Sequence, residues 1–379
     1  MDFQPTITQA FKRRFSASPV FIVRAPGRVN IIGEHTDYNE GFVLPMAIDR
    51  AVGIALRPRR DQKVIVHSLD FDETAEFSLH ELHKGKGWPE YIKGVAWSFE
   101  TEGHRLKGWE GVMAGDVPIG AGLSSSAATE LAAARAFACV SDLEWEPVKM
   151  ASLGLKAEVE WVGLNCGIMD QMISAAAQAG HALFLDCRSL NFEQIPLPDG
   201  LSVAVLDTAT RRGLVGSAYN ERHAQCEAAA RLFGVRALRD VDVQTFETRA
   251  DQLDPVIRRR ARHVIRENER VNQAVAAMRR NDVESLGQLL DASHASLRDD
   301  FEVSSPALDT MVKIARQAVG CFGARMTGAG FGGCAVAIVN TEDTQEFTSA
   351  VRQEYMRQTG LTSNVYISQA AAGASLLSA

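Results

Sequence analysis

Arg24-Ala-Pro-Gly-Arg-Val-Asn-Ile-Ile-Gly-Glu-His-Thr-Asp-Tyr-Asn39 gathers Arg28, Glu34, His35 and Asp37 around two glycines, in a spacing that no regular amphipathic helix can use. The segment reads as a polyol-binding loop. Carboxylates and an imidazole hold sugar hydroxyls through paired donors and acceptors, and such a site rejects ligands that would leave its own buried polar groups unpaired. The Pro-Gly and Asn-Glu-Gly signals also suit a polar turn between two strands.

Further along, Gly115-Asp-Val-Pro-Ile-Gly-Ala-Gly-Leu-Ser-Ser-Ser-Ala-Ala128 is a glycine-rich loop that opens straight into a predicted helix. Physically it is an anion cradle. Gly120 and Gly122 let the backbone approach a ligand, Ser124, Ser125 and Ser126 offer hydroxyls, and the unpaired amides of the helix start attract phosphate oxygens. A Ser-capped helix after a flexible turn is the plainer alternative, but three consecutive serines exceed what a cap requires. No G-x-x-x-x-G-K-[ST] occurs, which disfavours a P-loop. Gly328-Ala-Gly-Phe-Gly-Gly333 matches G-x-G-x-x-G, yet the strand-like Cys334-Ala-Val-Ala-Ile-Val339 follows it where a dinucleotide fold needs a helix. That run is expected to close over a substrate or pack on another loop.

Glu158-Val-Glu-Trp-Val-Gly-Leu-Asn-Cys-Gly-Ile-Met-Asp-Gln171 places Asp170 in the first turns of an apolar helix. Spacing alone favours a carboxylate that complements the helix dipole, with a reactive group as the alternative.

At 379 residues the chain exceeds what one hydrophobic core usually organises, so two domains are expected, divided as residues 1–195 and 196–379. Its 46% apolar and 23% charged residues argue against long disorder. A net charge of −7 does not suit a nucleic-acid binder, and an anionic substrate would need a locally positive pocket. The dispersed cysteines, the absence of an apolar run long enough to cross a bilayer, and an N-terminus unlike a signal peptide predict a cytoplasmic, non-membrane protein.

The segment order is mixed α/β (α+β) without a strict βαβ rhythm. Helices are predicted near residues 7–15, 89–101, 126–139 and 147–162, and strands at 20–23, 51–56, 63–67, 110–114 and 181–186. The proline-rich stretch 188–200 marks the predicted boundary. Beyond it come a strand at 201–206, an almost wholly helical region over 216–297, and strands at 333–340 and 364–368.

Taken together, these motifs resemble the galactokinase family within the superfamily of galacto-, homoserine, mevalonate and phosphomevalonate kinases, over nearly the whole chain. Gly27 to Asn39 is similar to the galactokinase signature, Pro118 to Ala128 to the superfamily ATP loop, and Gly328 to Gly333 to its third motif. Only the first is specific to sugar kinases. The resemblance implies a two-domain architecture with the active site in the cleft, ATP and Mg2+ as cofactors, and galactose phosphorylated at its C1 hydroxyl. It implies that Glu34, His35 and Asp37 bind sugar hydroxyls, with Gly167 and Tyr219 lining the same pocket. Asp170 would face the anomeric hydroxyl, which displaces the structural reading of that residue, and Arg28 would lie near both hydroxyl and transferred phosphate. Gly120, Ala121, Gly122, Leu123, Ser124 and Ser125 would wrap the triphosphate, while Ser126 and Glu158 would hold the metal. A monomer or weak dimer is expected, with neither nucleic acid nor membrane as partner.

One segment departs from the family pattern. Arg211, Arg212 and Gly213 replace a different basic-polar sequence beside the presumed sugar pocket, which leaves arabinose or N-acetylgalactosamine as alternative substrates. A catalytically silent galactose and ATP sensor is disfavoured by the intact Ser124-Ser-Ser-Ala-Ala128 and Asp170. His80 and His83 form an i, i+3 pair in a solvated turn rather than a metal site, Arg258-Arg-Arg-Ala-Arg262 with Glu267 and Glu269 reads as an exposed charged helix face, and the remaining Met and aromatic residues read as core.

Overall fold

The computed structural model of the chain describes residues 4–210 and 215–377. Its strands are β1 (Phe21–Ile32), β2 (Phe42–Pro58), β3 (Lys63–Ser68), β4 (Glu73–Ser78), β5 (Trp109–Gly115), β6 (His181–Asp186), β7 (Phe192–Pro196), β8 (Leu201–Asp207), β9 (Cys321–Met326), β10 (Cys334–Asn340), β11 (Asn364–Ser368) and β12 (Ser375–Leu377). The helices are α1 (Gln4–Phe15), α2 (Pro89–Thr101), α3 (Ser125–Ser141), α4 (Pro147–Lys156), α5 (Met169–Ala176), α6 (Val215–Phe233), α7 (Val243–Arg249), α8 (Pro255–Arg279), α9 (Val283–Asp299), α10 (Pro306–Gln317) and α11 (Thr344–Thr359).

Two sheets organise these elements. The first runs β12-β1-β2-β5-β3-β4, with β6 and β7 attached through β2; the second runs β11-β8-β10-β9. Strands 21–196 and 375–377 thus build one sheet and strands 201–368 the other.

Side-chain alternation explains how the layers stack. In β2, Ile54 joins the large core that holds Trp109, Phe99 and Phe137, while its neighbour Ala55 meets Ile7 and Phe11 of α1 on the opposite face. In β8, Val203 and Val205 enter that same large core, whereas Ala204 and Leu206 pack against Phe246, Phe347 and Tyr355. The second sheet is therefore covered on both faces. Each fully buried Leu, Val or Phe contributes roughly 1.5–3 kcal/mol, so these layers are the main stabilising term.

Several expectations needed correction. The first half of the Arg24 to Asn39 segment is strand, continuing through Ile32, and only Gly33 onward turns, with a 3₁₀ turn over Asp37–Asn39. The helix predicted over 147–162 ends at Lys156 and continues as a π-helical turn, Ala157–Val162, closed by Gly163 N donating to Glu158 O at 2.9 Å. Part of the proline-rich stretch is β7, which pairs with β6 and buries Ile195.

The charged face of α8 is exposed only in part: Glu269 is exposed and Arg258, Arg259 and Arg262 are partly so, but Arg260 and Glu267 turn inward. Arg260 is 3% exposed, and His263 and Glu267 are fully buried, because α8 underlies the turn after β1. His263 Nε2 lies 3.1 Å from the Glu34 carbonyl, Glu267 Oε1 accepts from Gly33 N at 3.0 Å, and Asn268 Oδ1 accepts from Phe42 N at 2.9 Å. Arg270 pairs with Glu267 at 2.6 Å. Burying such charges is tolerable only because each finds a partner.

Candidate active site

Two bulges in the β1–β2 ladder, between Pro26 and Arg28 and between Asn30 and Ile32, re-aim β1 as it approaches the loop before α3. Arg28 then reaches two other segments at once. Its Nε and Nη2 donate to Asp170 Oδ1 and Oδ2, both at 2.7 Å, and its Nη1 donates to the Gly122 carbonyl at 2.6 Å. The Ser124 hydroxyl also donates to Asp170 Oδ2. Burial opposes the charge on Arg28, but the Asp170, Glu34 and Asp37 carboxylates more than offset it and hold the guanidinium above the ordinary arginine range.

Glu34 is 2% exposed. It accepts from Asn30 Nδ2 at 2.6 Å, from Thr327 Oγ1 at 3.0 Å and from the amide of Gly328, with Arg325 Nη2 3.6 Å away. The glycine run after β9 thus packs against the signature segment, one of the two arrangements left open for it.

His35 adopts a left-handed backbone, φ 64°, and its ring lies against Phe301 with centroids 4.8 Å apart. Such a conformation costs about 1–3 kcal/mol and persists where the surroundings enforce it. Burial, with His263 adding to it, pushes the His35 pKa down to about 3, so the ring is neutral. Its Nδ1 lies 3.0 Å from the Tyr38 hydroxyl.

Asp37 faces the opposite charge problem. Burial first, then the Asp170 and Glu34 carboxylates, raise its pKa to about 7 despite Arg28. Gly167 passes so close that a Cβ there would overlap the Asp37 carboxylate. Gly167→Ala is therefore expected to weaken binding of a polyol held by Asp37 by more than tenfold with the fold intact, measured as sugar titration by calorimetry beside a thermal melt. An unchanged affinity would show that the loop yields freely.

These groups line one cavity of about 560 Å³. Of the fifteen residues singled out from sequence, all but Ala121 face it; the Ala121 side chain is part of the core. Gly120 and Gly122, at φ 72° and 82°, shape the loop, and α3 begins at Ser125. Ser126 hydrogen-bonds the Glu158 carboxylate, whose pKa is raised by burial and by Asp170. Tyr219 closes the far wall with His35, centroids 5.8 Å apart.

Other lining residues escaped the sequence. Asn165, Cys166, Asn220 and Ala329 line the same cavity, and Asn165 Nδ2 donates to Asn220 Oδ1 at 3.1 Å. A second cavity of about 180 Å³ shares Ser125 and Ser126 and is walled by Phe71, Trp88 and Tyr91. Phe71, expected in the core, is 48% exposed and parallel to Trp88 with centroids 6.1 Å apart. The Arg211 to Gly213 departure lies outside the described residues. Among the described residues no cluster of three or more His, Cys, Asp or Glu suits a metal ion. No described helix is long and apolar enough to cross a membrane.

The GHMP kinases N terminal domain matches residues 90–178 and the GHMP kinases C terminal model matches residues 274–358. The chain is thus a GHMP-class small-molecule kinase, whose fold it shares with the mevalonate kinase of Methanococcus jannaschii (TM-score 0.67, 18% identity, 94% of this chain and 99% of that one). The galactokinase galactose-binding signature covers residues 9–58. A galactokinase of Roseiflexus sp. (strain RS-1) is 44% identical over 373 residues, 97% of this chain and 95% of the relative. The structure of Lactococcus lactis galactokinase complexed with galactose superposes with a TM-score of 0.95 at 35% identity, covering 99% of this chain and all of the other. The chain belongs to the galactokinase family.

Proposed function

We infer that this chain transfers the γ-phosphate of ATP to the C1 hydroxyl of galactose, giving galactose 1-phosphate and ADP, the first committed step of galactose catabolism. The observation that carries the reading is the Arg28 junction: one guanidinium ties the signature strand to Asp170 and to the Gly122 carbonyl of the phosphate loop. Sugar and phosphate sites are thereby fixed relative to each other before either substrate binds, which is where positioning catalysis gains most.

In this reading Glu34, His35 and Asp37 receive the sugar hydroxyls beside Gly167 and Tyr219. Gly120 to Ser125 and the start of α3 receive the triphosphate. Phe71, Trp88 and Tyr91 offer the adenine a flat apolar slot next to Ser125. Asp170 accepts or orients the C1 hydroxyl proton as that oxygen bonds to the γ-phosphorus and the bond to the ADP oxygen breaks. Arg28 stabilises charge on the sugar oxygen and on the phosphoryl group. Ser126 and Glu158 fit Mg2+: a hydroxyl and one buried carboxylate, its charge unfavourable without a cation, match an ion that takes few protein oxygens and completes its shell with phosphates and water. When bound, that ion would neutralise phosphate charge. Units 1–195 and 196–379 would form the two walls, and the free thiols Cys139, Cys166, Cys187, Cys226 and Cys321 support a reducing, cytoplasmic setting.

The test is ADP release with ATP, magnesium and a panel of galactose, glucose, arabinose and N-acetylgalactosamine. Turnover led by galactose supports the assignment; saturable galactose binding without turnover on any sugar overturns it.

Asp37 adds a pH signature. Sugar hydroxyls donating to its carboxylate favour the ionised form, so binding lowers a pKa that starts near 7 and releases a proton. Galactose affinity is expected to weaken by roughly tenfold per pH unit below that pKa, and calorimetry in buffers of different ionisation enthalpy should register proton release. Without sugar the sign is reversed for folding: stability contributed by the protonated carboxyl is lost as pH rises from the ordinary aspartate range to about 7. A pH-independent sugar affinity would remove Asp37 from the hydroxyl contacts.

A further inference from the structure

Behind the cavity wall lies a polar chain that the mechanism above does not use. Gln171 Nε2 donates to Glu158 Oε2 at 2.6 Å and to Glu130 Oε2 at 3.0 Å, so one amide bridges two carboxylates. Glu130 and Gln171 are both fully buried, and neither Glu130 Oε1 nor Gln171 Oε1 has a hydrogen-bond partner. Burying a carboxyl with one oxygen unpaired costs stability. An alanine-rich helix such as α3 would be more stable with an apolar residue at this position.

The arrangement makes sense as support for Glu158. Its contacts from Gln171 and from Cys166 Sγ, the latter at 3.3 Å, both fall on Oε2, which leaves Oε1 clear of them. Gln171 itself is wedged in place, since a Cβ on Gly154 of α4 would come within 3.1 Å of its Cγ. The residue preceding Gln171 on α5 is Asp170. One turn of helix therefore carries both the carboxylate at the sugar hydroxyl and the amide that fixes Glu158.

We infer that Glu130, acting through Gln171, is a positioning residue that sets the Glu158 carboxylate for the metal–nucleotide complex. The inference rests on the proposed role of Ser126 and Glu158. Partners one step removed from a metal-facing carboxylate commonly set metal affinity by 10–100-fold. The role differs from core packing in a measurable way: it loads on the metal–nucleotide side and spares the sugar.

The experiment measures binding of Mn2+·ADP to the whole chain by electron paramagnetic resonance, beside galactose calorimetry and a thermal melt. Glu130→Ala should weaken Mn2+·ADP by tenfold or more and leave galactose affinity unchanged. Glu130→Gln, which keeps an accepting oxygen at the same place, should restore most of it. Where Glu130→Ala does not fold, Gln171→Met is judged by the same two affinities. Unchanged Mn2+·ADP affinity in the folded variant overturns the inference, as does a loss in Glu130→Gln equal to that in Glu130→Ala. Wild-type protein that binds galactose but no Mn2+·ADP overturns it together with the metal role of Glu158.

Discussion

Asp170→Asn is expected to lower turnover by about 10²–10⁴-fold, the usual contribution of a positioned acid or base, while galactose affinity changes little. The carboxylate accepts two N–H bonds from Arg28 and one O–H from Ser124. An asparagine amide must turn its NH₂ toward one of these donors, so at least one bond becomes a donor facing a donor. The guanidinium loses its ionised partner while keeping its bond to the Gly122 carbonyl. In the proposed arrangement Asp170 meets the hydroxyl that reacts and not the hydroxyls assigned to Glu34, His35 and Asp37, so the loss should fall on kcat. Coupled ADP release and galactose calorimetry on the same preparation separate the two. Full turnover would remove Asp170 from the mechanism.

Glu34→Ala carries the largest expected cost in stability. The substitution strands the Gly328 amide, the Thr327 hydroxyl and the Asn30 amide, and leaves Arg325, which has no exposed surface, without its carboxylate at 3.6 Å. Removing one partner of a buried charge pair costs about 3–5 kcal/mol. Urea unfolding should show the free energy of unfolding falling by that amount, with a correspondingly lower midpoint, and galactose binding should be lost with it, since Glu34 also lines the cavity. Glu34→Gln keeps the shape and most acceptors, so it should cost less in stability than in sugar affinity. A stable Glu34→Ala protein would show that the β1 and β9 ends are held together by other contacts.

The signature and the serine loop were legible because each is contiguous and carries its own spacing, whereas spacing read Asp170 as a helix-start charge and only the family resemblance drew it into the candidate site. What was not legible depends on partners far away in sequence. Glu34 meets Thr327 and Gly328, and nothing local marks that encounter. Glu267 and Arg260 look like solvent-facing charges on an amphipathic helix, because a buried ion pair and an exposed one use the same residues. Phe71 looked like core, as Trp88 is, since sequence cannot distinguish an aromatic that fills an interior from one that walls a slot. Glu130 disappeared into the alanine-rich pattern of α3. The short strands β7 and β12 were missed because a few residues show no period, and the π turn at Glu158 because its apolar spacing continues that of α4.

The pairing of β12 with β1 also bears on how the chain is made. Ile22, Val23 and Arg24 stand opposite Leu377, Leu376 and Ser375 in an antiparallel ladder, so the outer side of β1 waits for a strand made roughly 350 residues later. At about 5–20 residues per second, that wait lasts on the order of tens of seconds. Throughout it, the outer rim of the strand leading to Arg28 offers unpaired N–H and C=O groups to any neighbouring nascent chain. The sheet that carries the signature is sealed on this side only once residues 375–377 have been made, which leaves this rim open to pairing with a neighbouring nascent chain in the interval.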